Sequence, residues 1–263
     1  MRVHENLVET REGGVATLRV DREEALGALS KSMVTALGDY LRDLRGCRDV
    51  RVLVLTGTGR GFIAGADIGE YHGVTQAEFD AYQRMSRAVF EELEQLPQPT
   101  IAAVNGYALG GGFEVALCCD LIIASEAARF GLPEVKLGLL PGGGGTQRLS
   151  RAIGIRATKE LVMTGRIMRA DEADRHRLLH KVTPVDELVP AAMELAGRLA
   201  TAAPLAVREA KRLIDDGVQQ ALGAALTSEQ AVLSRLYATA DAAEGIEAFV
   251  AKREPRFTGN LPD

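Results

Sequence analysis

One stretch constrains this chain more than any other. It runs from Asn105 to Gln147 and reads NGYALGGGFEVALCCDLIIASEAARFGLPEVKLGLLPGGGGTQ. The apolar run Ile101 to Val104 leads into it as a strand and ends at a glycine cluster, Gly110 to Gly112. An apolar segment with one acid, Glu114, follows, and a second acid, Glu134, comes after a Gly-Leu-Pro turn. Another cluster, Gly142 to Gly145, closes the stretch. Glycine costs backbone entropy, so runs of it beside isolated carboxylates mean that the backbone must approach something closely.

The flanking sequence reads as an α/β chain. Leu7 to Glu9 and Val15 to Asp21 are expected as strands around a Gly13-Gly14 turn. Lys31 to Leu44 places Met33, Leu37, Leu41 and Leu44 on one helical stripe. Val50 to Thr56 is a β-branched run suited to a strand buried on both faces, and it ends in the loop GTGRGFIAGADI. Gln76 to Leu96 is helical in pattern until Pro97 and Pro99 stop it. Thr100 to Val104 and Leu121 to Ala124 are further strands. Strands that alternate with helices and end in glycine loops argue for βαβ crossovers, with crevices at the strand ends. From Thr146 onward helices are expected, broken by a strand-like Lys181 to Thr183, and Pro255 to Asp263 reads as a loose tail.

With 31 Lys and Arg against 36 Asp and Glu, the chain lacks the basic footprint of a nucleic-acid binder. No apolar run approaches membrane-spanning length, and the charged N-terminal residues do not read as a signal peptide. Cys47, Cys118 and Cys119 make a poor disulfide framework, which points to a reducing, cytoplasmic setting. His176 and His180 stand at helical spacing but lack the rest of a zinc-binding pattern, so a solvated helix face is expected and no metal. GTGRG completes no dinucleotide fingerprint or phosphate-binding loop, and no Ser sits in a G-x-S-x-G elbow.

The chemistry rests on the acids and glycines. A carboxylate inside an apolar run, as at Glu114, is costly unless a ligand, water or polar partner meets it. Two partly buried carboxylates can divide acid and base roles when their surroundings separate their pKa values. A helix starting near Gly111 has unpaired N–H groups at its first turn, which suit developing negative charge. A second strand-end loop, Gly65-Ala66-Asp67, offers another N–H. Two such donors aimed at one oxygen make an oxyanion hole.

The segments DREEALGALS, IAGADI, IAAVNGYALGGGFEVALCCD, FGLPEVKLGLLPGGGGTQRLSRAIG, LVMTGR and EGIEAFVAKREPRF, in that order, resemble the enoyl-CoA hydratase (crotonase) superfamily. The resemblance implies a spiral core of ββα units over residues 1–200 and a helical trimerisation region over 201–263, in trimers or dimers of trimers. It implies syn hydration of a trans-2-enoyl-CoA, a lyase reaction of lipid metabolism with fatty-acid β-oxidation as the default pathway. Coenzyme A would arrive as part of the substrate, with no separate cofactor. Glu114 would act as base and Glu134 as acid, the backbone N–H groups of Ala66 and Gly111 would hold the thioester oxygen, and Gly142 would help set the water. Arg22, Ala64, Ala66, Asp67, Ile68, Gly111, Phe249 and Lys252 would contact the CoA, Lys252 across a subunit boundary, with Arg60 a weaker candidate. Phe113 and the region from Tyr71 to Tyr82 would shape the acyl pocket. Gly69 and Gly27 depart from the common Lys and Asn of relatives. An isomerase, a dehydratase of the carnitinyl-CoA type and a noncatalytic binding protein are the alternatives.

Overall fold

The computed structural model describes residues 1–259. Three strands, β1 (Arg2–His4), β2 (Leu7–Glu12) and β3 (Val15–Val20), form an antiparallel meander. Helix α1 (Lys31–Arg45) starts at Ser30, whose Oγ accepts from the Met33 N–H, and carries the chain over to β4 (Val52–Gly57), parallel to β3. A short β5 (Gly61–Ile63) turns away before α2 (Gln76–Glu94). The Thr75 and Glu78 side chains and N–H groups close a reciprocal capping box at the start of α2.

The same step then repeats. β6 (Thr100–Val104) joins the large sheet beside β4, β7 (Tyr107–Leu109) joins β5, and α3 (Gly111–Leu117) follows. β8 (Leu121–Ser125) extends the large sheet and β9 (Arg129–Gly131) the small one. Helices α4 (Gly145–Ile153) and α5 (Ile155–Thr164) lead to β10 (Ile167–Arg169), which pairs antiparallel with β9. After α6 (Ala170–Arg175), β11 (Lys181–Thr183) closes the large sheet beside β8. The large sheet is therefore ordered β1-β2-β3-β4-β6-β8-β11 and the small one β10-β9-β7-β5. Successive units place one strand in each sheet, which is the spiral of ββα turns.

Both faces of β4 are covered, as its continuous apolar run requires. Val52 and Val54 face α7 (Leu188–Thr201), packing with Leu188, Ala192 and Ala196. Leu53 and Leu55 point the other way, into the main core with Met33, Leu37 and Leu41 of α1. The remaining helices, α8 (Pro204–Gly217), α9 (Leu222–Tyr237) and α10 (Ala240–Val250), bury few side chains.

Several expectations need correction. His176 and His180 do not share a helix, because α6 ends at Arg175 and the chain turns before β11. Phe113 is a core residue whose ring packs tilted against Phe130, centroids 5.3 Å apart, and it is not an acyl-pocket wall. The tail is tied down as far as it is described: the Phe257 carbonyl accepts from Arg51 at 2.7 Å, and the Thr258 and Gly259 N–H groups donate to the buried Asp241 at 2.8 and 2.9 Å. The rest of that expected tail, 260–263, lies outside the described residues. Among the described residues no helix is long and apolar enough to cross a membrane.

Candidate active site

The start of α3 fixes one side of the site. A Cβ on Gly112 would land against the Ile63 carbonyl of β5, so only glycine lets α3 lie this close. That approach brings the N-terminus of α3 to the loop after β5. A Cβ built on Gly111 would stand 3.9 Å from the Ala66 nitrogen. Gly111 is the first residue of α3, so its N–H has no partner within the helix. The two amides expected as an oxyanion hole therefore lie side by side, and both residues line one cavity of about 480 Å³.

Glu114 projects from the first turn of α3 and is 3% exposed. Its Oε1 accepts from the Gly143 and Gly145 N–H groups at 2.8 and 2.7 Å. Burial pushes its pKa up, while those two N–H groups and the nearby Arg148 charge pull it back. Glu134 sits in a 3-10 turn, Pro133–Leu137, opened by the proline. Its Oε2 is buried and meets no hydrogen-bond partner among the described residues. Its Oε1 would be 3.2 Å from a Cβ on Gly110. Burial raises its pKa to about 7, its own backbone N–H opposes this, and the Glu114 charge adds to it. One acid is thus held by donors and the other is left to hold a proton near neutrality.

The loop from Gly142 to Gly145 is positioned from behind. Arg148 on α4 makes two bonds of 2.7 Å to Glu94, while its Nη1 donates to the Gly143 carbonyl at 2.6 Å. Glycine at 143 leaves room for its neighbours, because a Cβ there would sit 2.6 Å from the Phe90 ring and 2.7 Å from Glu114 Oε2 and one of those side chains would have to shift. The expectation for this loop fell on Gly142, which does line the cavity. The residues that grip Glu114 are Gly143 and Gly145, and reading the sequence missed them together with Arg148 and Glu94. The signal for the first three was present in the run GGGGTQR; nothing local marks Glu94.

Of the other expected contacts, Ala64 and Ile68 line the cavity. Arg22 donates to the Ala28 carbonyl and to Asp67, each at 2.8 Å, bracing the loop that presents Ala66. Asp67 also caps the next turn by accepting from the Gly69 N–H at 3.2 Å. Arg60 lies over the Tyr107 ring, 5.9 Å from its centre. Phe249 is 85% exposed on α10, and Lys252 is exposed just beyond it; neither lines the cavity of its own chain. Among the described residues no group of three or more His, Cys, Asp or Glu side chains is arranged to hold a metal ion.

Known proteins share this architecture. A family model described as enoyl-CoA hydratase/isomerase matches residues 10–260. A short-chain-enoyl-CoA hydratase of Clostridium acetobutylicum is 40% identical over 250 residues, covering 95% of this chain and 96% of the relative. A crotonyl-CoA hydratase of Syntrophomonas wolfei is 39% identical over 255 residues, 97% of this chain and 98% of that one. The crystal structure of an enoyl-CoA hydratase from Bacillus anthracis superposes with a TM-score of 0.95 at 40% identity, covering 97% of this chain and all of that one. Stacked ββα units, glycine-framed acids and full-length matches agree: the chain belongs to the enoyl-CoA hydratase/isomerase family.

Proposed function

We propose that this protein is an enoyl-CoA hydratase that adds water syn across the C2=C3 bond of a trans-2-enoyl-CoA to give a 3-hydroxyacyl-CoA. What supports the reading most is that two carboxylates with different surroundings and two adjacent free amides line the same cavity. The thioester oxygen sits between the Ala66 and Gly111 N–H groups. Water is held by Glu114 and Glu134, with the Gly142 backbone beside it. Glu114, anchored by Gly143 and Gly145, takes a proton as the water oxygen bonds to C3. The C2=C3 electrons move toward the thioester oxygen, where the amides stabilise the enolate. Protonated Glu134 then delivers its proton to C2 and the thioester carbonyl reforms. The pair resets when Glu114 releases its proton and Glu134 regains one. Every step uses side chains and amides of this chain, and coenzyme A enters only as part of the substrate.

The assay is loss of the conjugated-enoyl absorbance of crotonyl-CoA. General acid or base groups contribute about 10²–10⁴ in rate, so Glu114→Gln and Glu134→Gln should each lower kcat by that order. Variants as fast as the parent would overturn the assignment. Chromatography of the product distinguishes 3-hydroxyacyl-CoA from the shifted double bond an isomerase would give.

The remaining parts of the reading are coupled to it. Residues 1–200 form the catalytic spiral, and 201–263 form the assembly region of a homotrimer or dimer of trimers. That assembly would bring Lys252 and Phe249 to a neighbour's CoA. A cytoplasmic setting is supported by Cys118 and Cys119, adjacent and buried as free thiols.

A further inference from the structure

One wall of the cavity is more polar than an alkenyl chain requires. Helix α2 presents Tyr82, Gln83 and Ser86 to it, and the turn before α2 presents Tyr71. Gln83 Nε2 donates to the Tyr71 hydroxyl at 3.2 Å. The Gln83 Oε1 acceptor lies 2.5 Å from where a Cβ on Gly142 would stand, beside the loop that anchors Glu114. Ser86 is 8% exposed, yet its Oγ meets no hydrogen-bond partner among the described residues. The Tyr82 hydroxyl approaches Ser86 closely enough for the serine to oppose the rise that burial causes in the Tyr82 pKa, but within ordinary bond length and angle that Oγ has no partner among the described residues. Leaving a buried hydroxyl unmet costs about 1–3 kcal/mol, and an aliphatic acyl tail would only seal it off further. Alanine at the same position would carry no such cost.

We propose that this acyl compartment is built for an enoyl thioester carrying an uncharged oxygen, a hydroxyl or carbonyl, on the chain beyond the C2=C3 bond. Ser86 and the Tyr71–Gln83 pair form its subsite. The charge of the cavity disfavours an acidic tail: the Glu114 carboxylate faces the same space, and the cation on its wall, Lys136, is exposed at the surface. The Tyr71 ring is itself held edge-on by Phe79 and Tyr82 at 5.3 and 5.6 Å, so its hydroxyl is preorganised rather than free to swing away.

This inference rests on the hydratase reading, which places the acyl chain of an enoyl thioester in this cavity. The test compares 5-hydroxy-2-pentenoyl-CoA with 2-hexenoyl-CoA, a matched pair in which a hydroxyl replaces the last methyl. The parent should favour the hydroxylated thioester in kcat/KM by about tenfold, the effect of one hydrogen bond gained. In Ser86→Ala and Tyr71→Phe that ratio should fall toward one; because it is a ratio, a general loss of activity does not mimic the result. Calorimetric titration with the unreactive pair, 5-hydroxypentanoyl-CoA and hexanoyl-CoA, reads the same preference without chemistry. A parent ratio of one or less in both formats, or a ratio unchanged in both variants, overturns the subsite. Preference in binding with no turnover of any enoyl-CoA, crotonyl-CoA included, supports the subsite and overturns the hydratase reading instead.

Discussion

Glu134 carries a stability signature that follows from its surroundings. Its pKa rises from an ordinary 4.5 to about 7 on folding, chiefly because burial disfavours the charge. Below pH 4.5 the side chain is neutral in both folded and unfolded chains and costs nothing. Between the two values the folded chain alone holds the proton, and above 7 both states are ionised and the whole burial penalty stands. Native Glu134 therefore destabilises the fold increasingly as pH rises. Glu134→Gln should melt with the parent near pH 4.5 and above it by roughly 3 °C at pH 8. A gain independent of pH in calorimetry would refute the burial account. Arg148 acts on Glu114 from behind. Arg148→Met removes the bond to the Gly143 carbonyl and a positive charge near Glu114, so the Glu114 pKa should rise further. The acid limb of the kcat/KM profile should then move to higher pH. Lys at the same place should restore part of that shift, since it returns the charge but not the bidentate grip on Glu94.

At the scale of elements, glycine decides where helices meet strands. Gly112→Ala drives a methyl into the Ile63 backbone carbonyl, which cannot yield without moving β5, so a loss of about 3 kcal/mol or non-folding is expected in urea titration. Gly111→Ala meets nothing closer than 3.9 Å and should fold normally. Gly143→Ala is intermediate: its methyl meets the Phe90 ring and the Glu114 carboxylate, so activity should fall while the fold survives, and Phe90→Leu should recover part of it. These glycines also show what the sequence revealed. The large sheet was legible, because β4 and β6 are continuous apolar runs and α1 carries a clean helical stripe. The small sheet was not, because β5, β7, β9 and β10 are three residues each and have too few positions to show an alternation. The spiral was expected only through the family resemblance. Glu114 and Glu134 stood out as isolated acids among glycines. The grip of Gly143 and Gly145 on Glu114 did not, since a backbone donor leaves no residue type to recognise, and Glu94 became visible only once α2 and α4 were packed together.

At the scale of the molecule, the helices after Thr201 do not account for themselves in a single chain. Leu222, Leu226, Leu233 and Tyr237 on α9 and Ile246, Phe249 and Val250 on α10 are all exposed, between 50% and 76% for most and 85% for Phe249. Apolar side chains exposed in this number on neighbouring helices suit an interface. Its covering by copies of the same chain would also give Lys252 a role, since it is exposed beside Phe249 and away from its own cavity. Assembly and substrate affinity should therefore fail together. Leu226→Glu with Leu233→Glu places two charges in the apolar surface, and sedimentation velocity should find the parent as trimers or hexamers and the double variant as smaller species. The same variant should raise KM for crotonyl-CoA more than it lowers kcat, because the acids and amides all belong to one chain while the CoA phosphates would lose the cation proposed to come from a neighbour. Lys252→Ala should reproduce the KM effect, up to about fivefold for one solvent-exposed charged contact, with the assembly intact. A parent that sediments as a monomer, or a Lys252→Ala variant with unchanged KM, would separate the C-terminal helices from the site and require another reason for their exposed face.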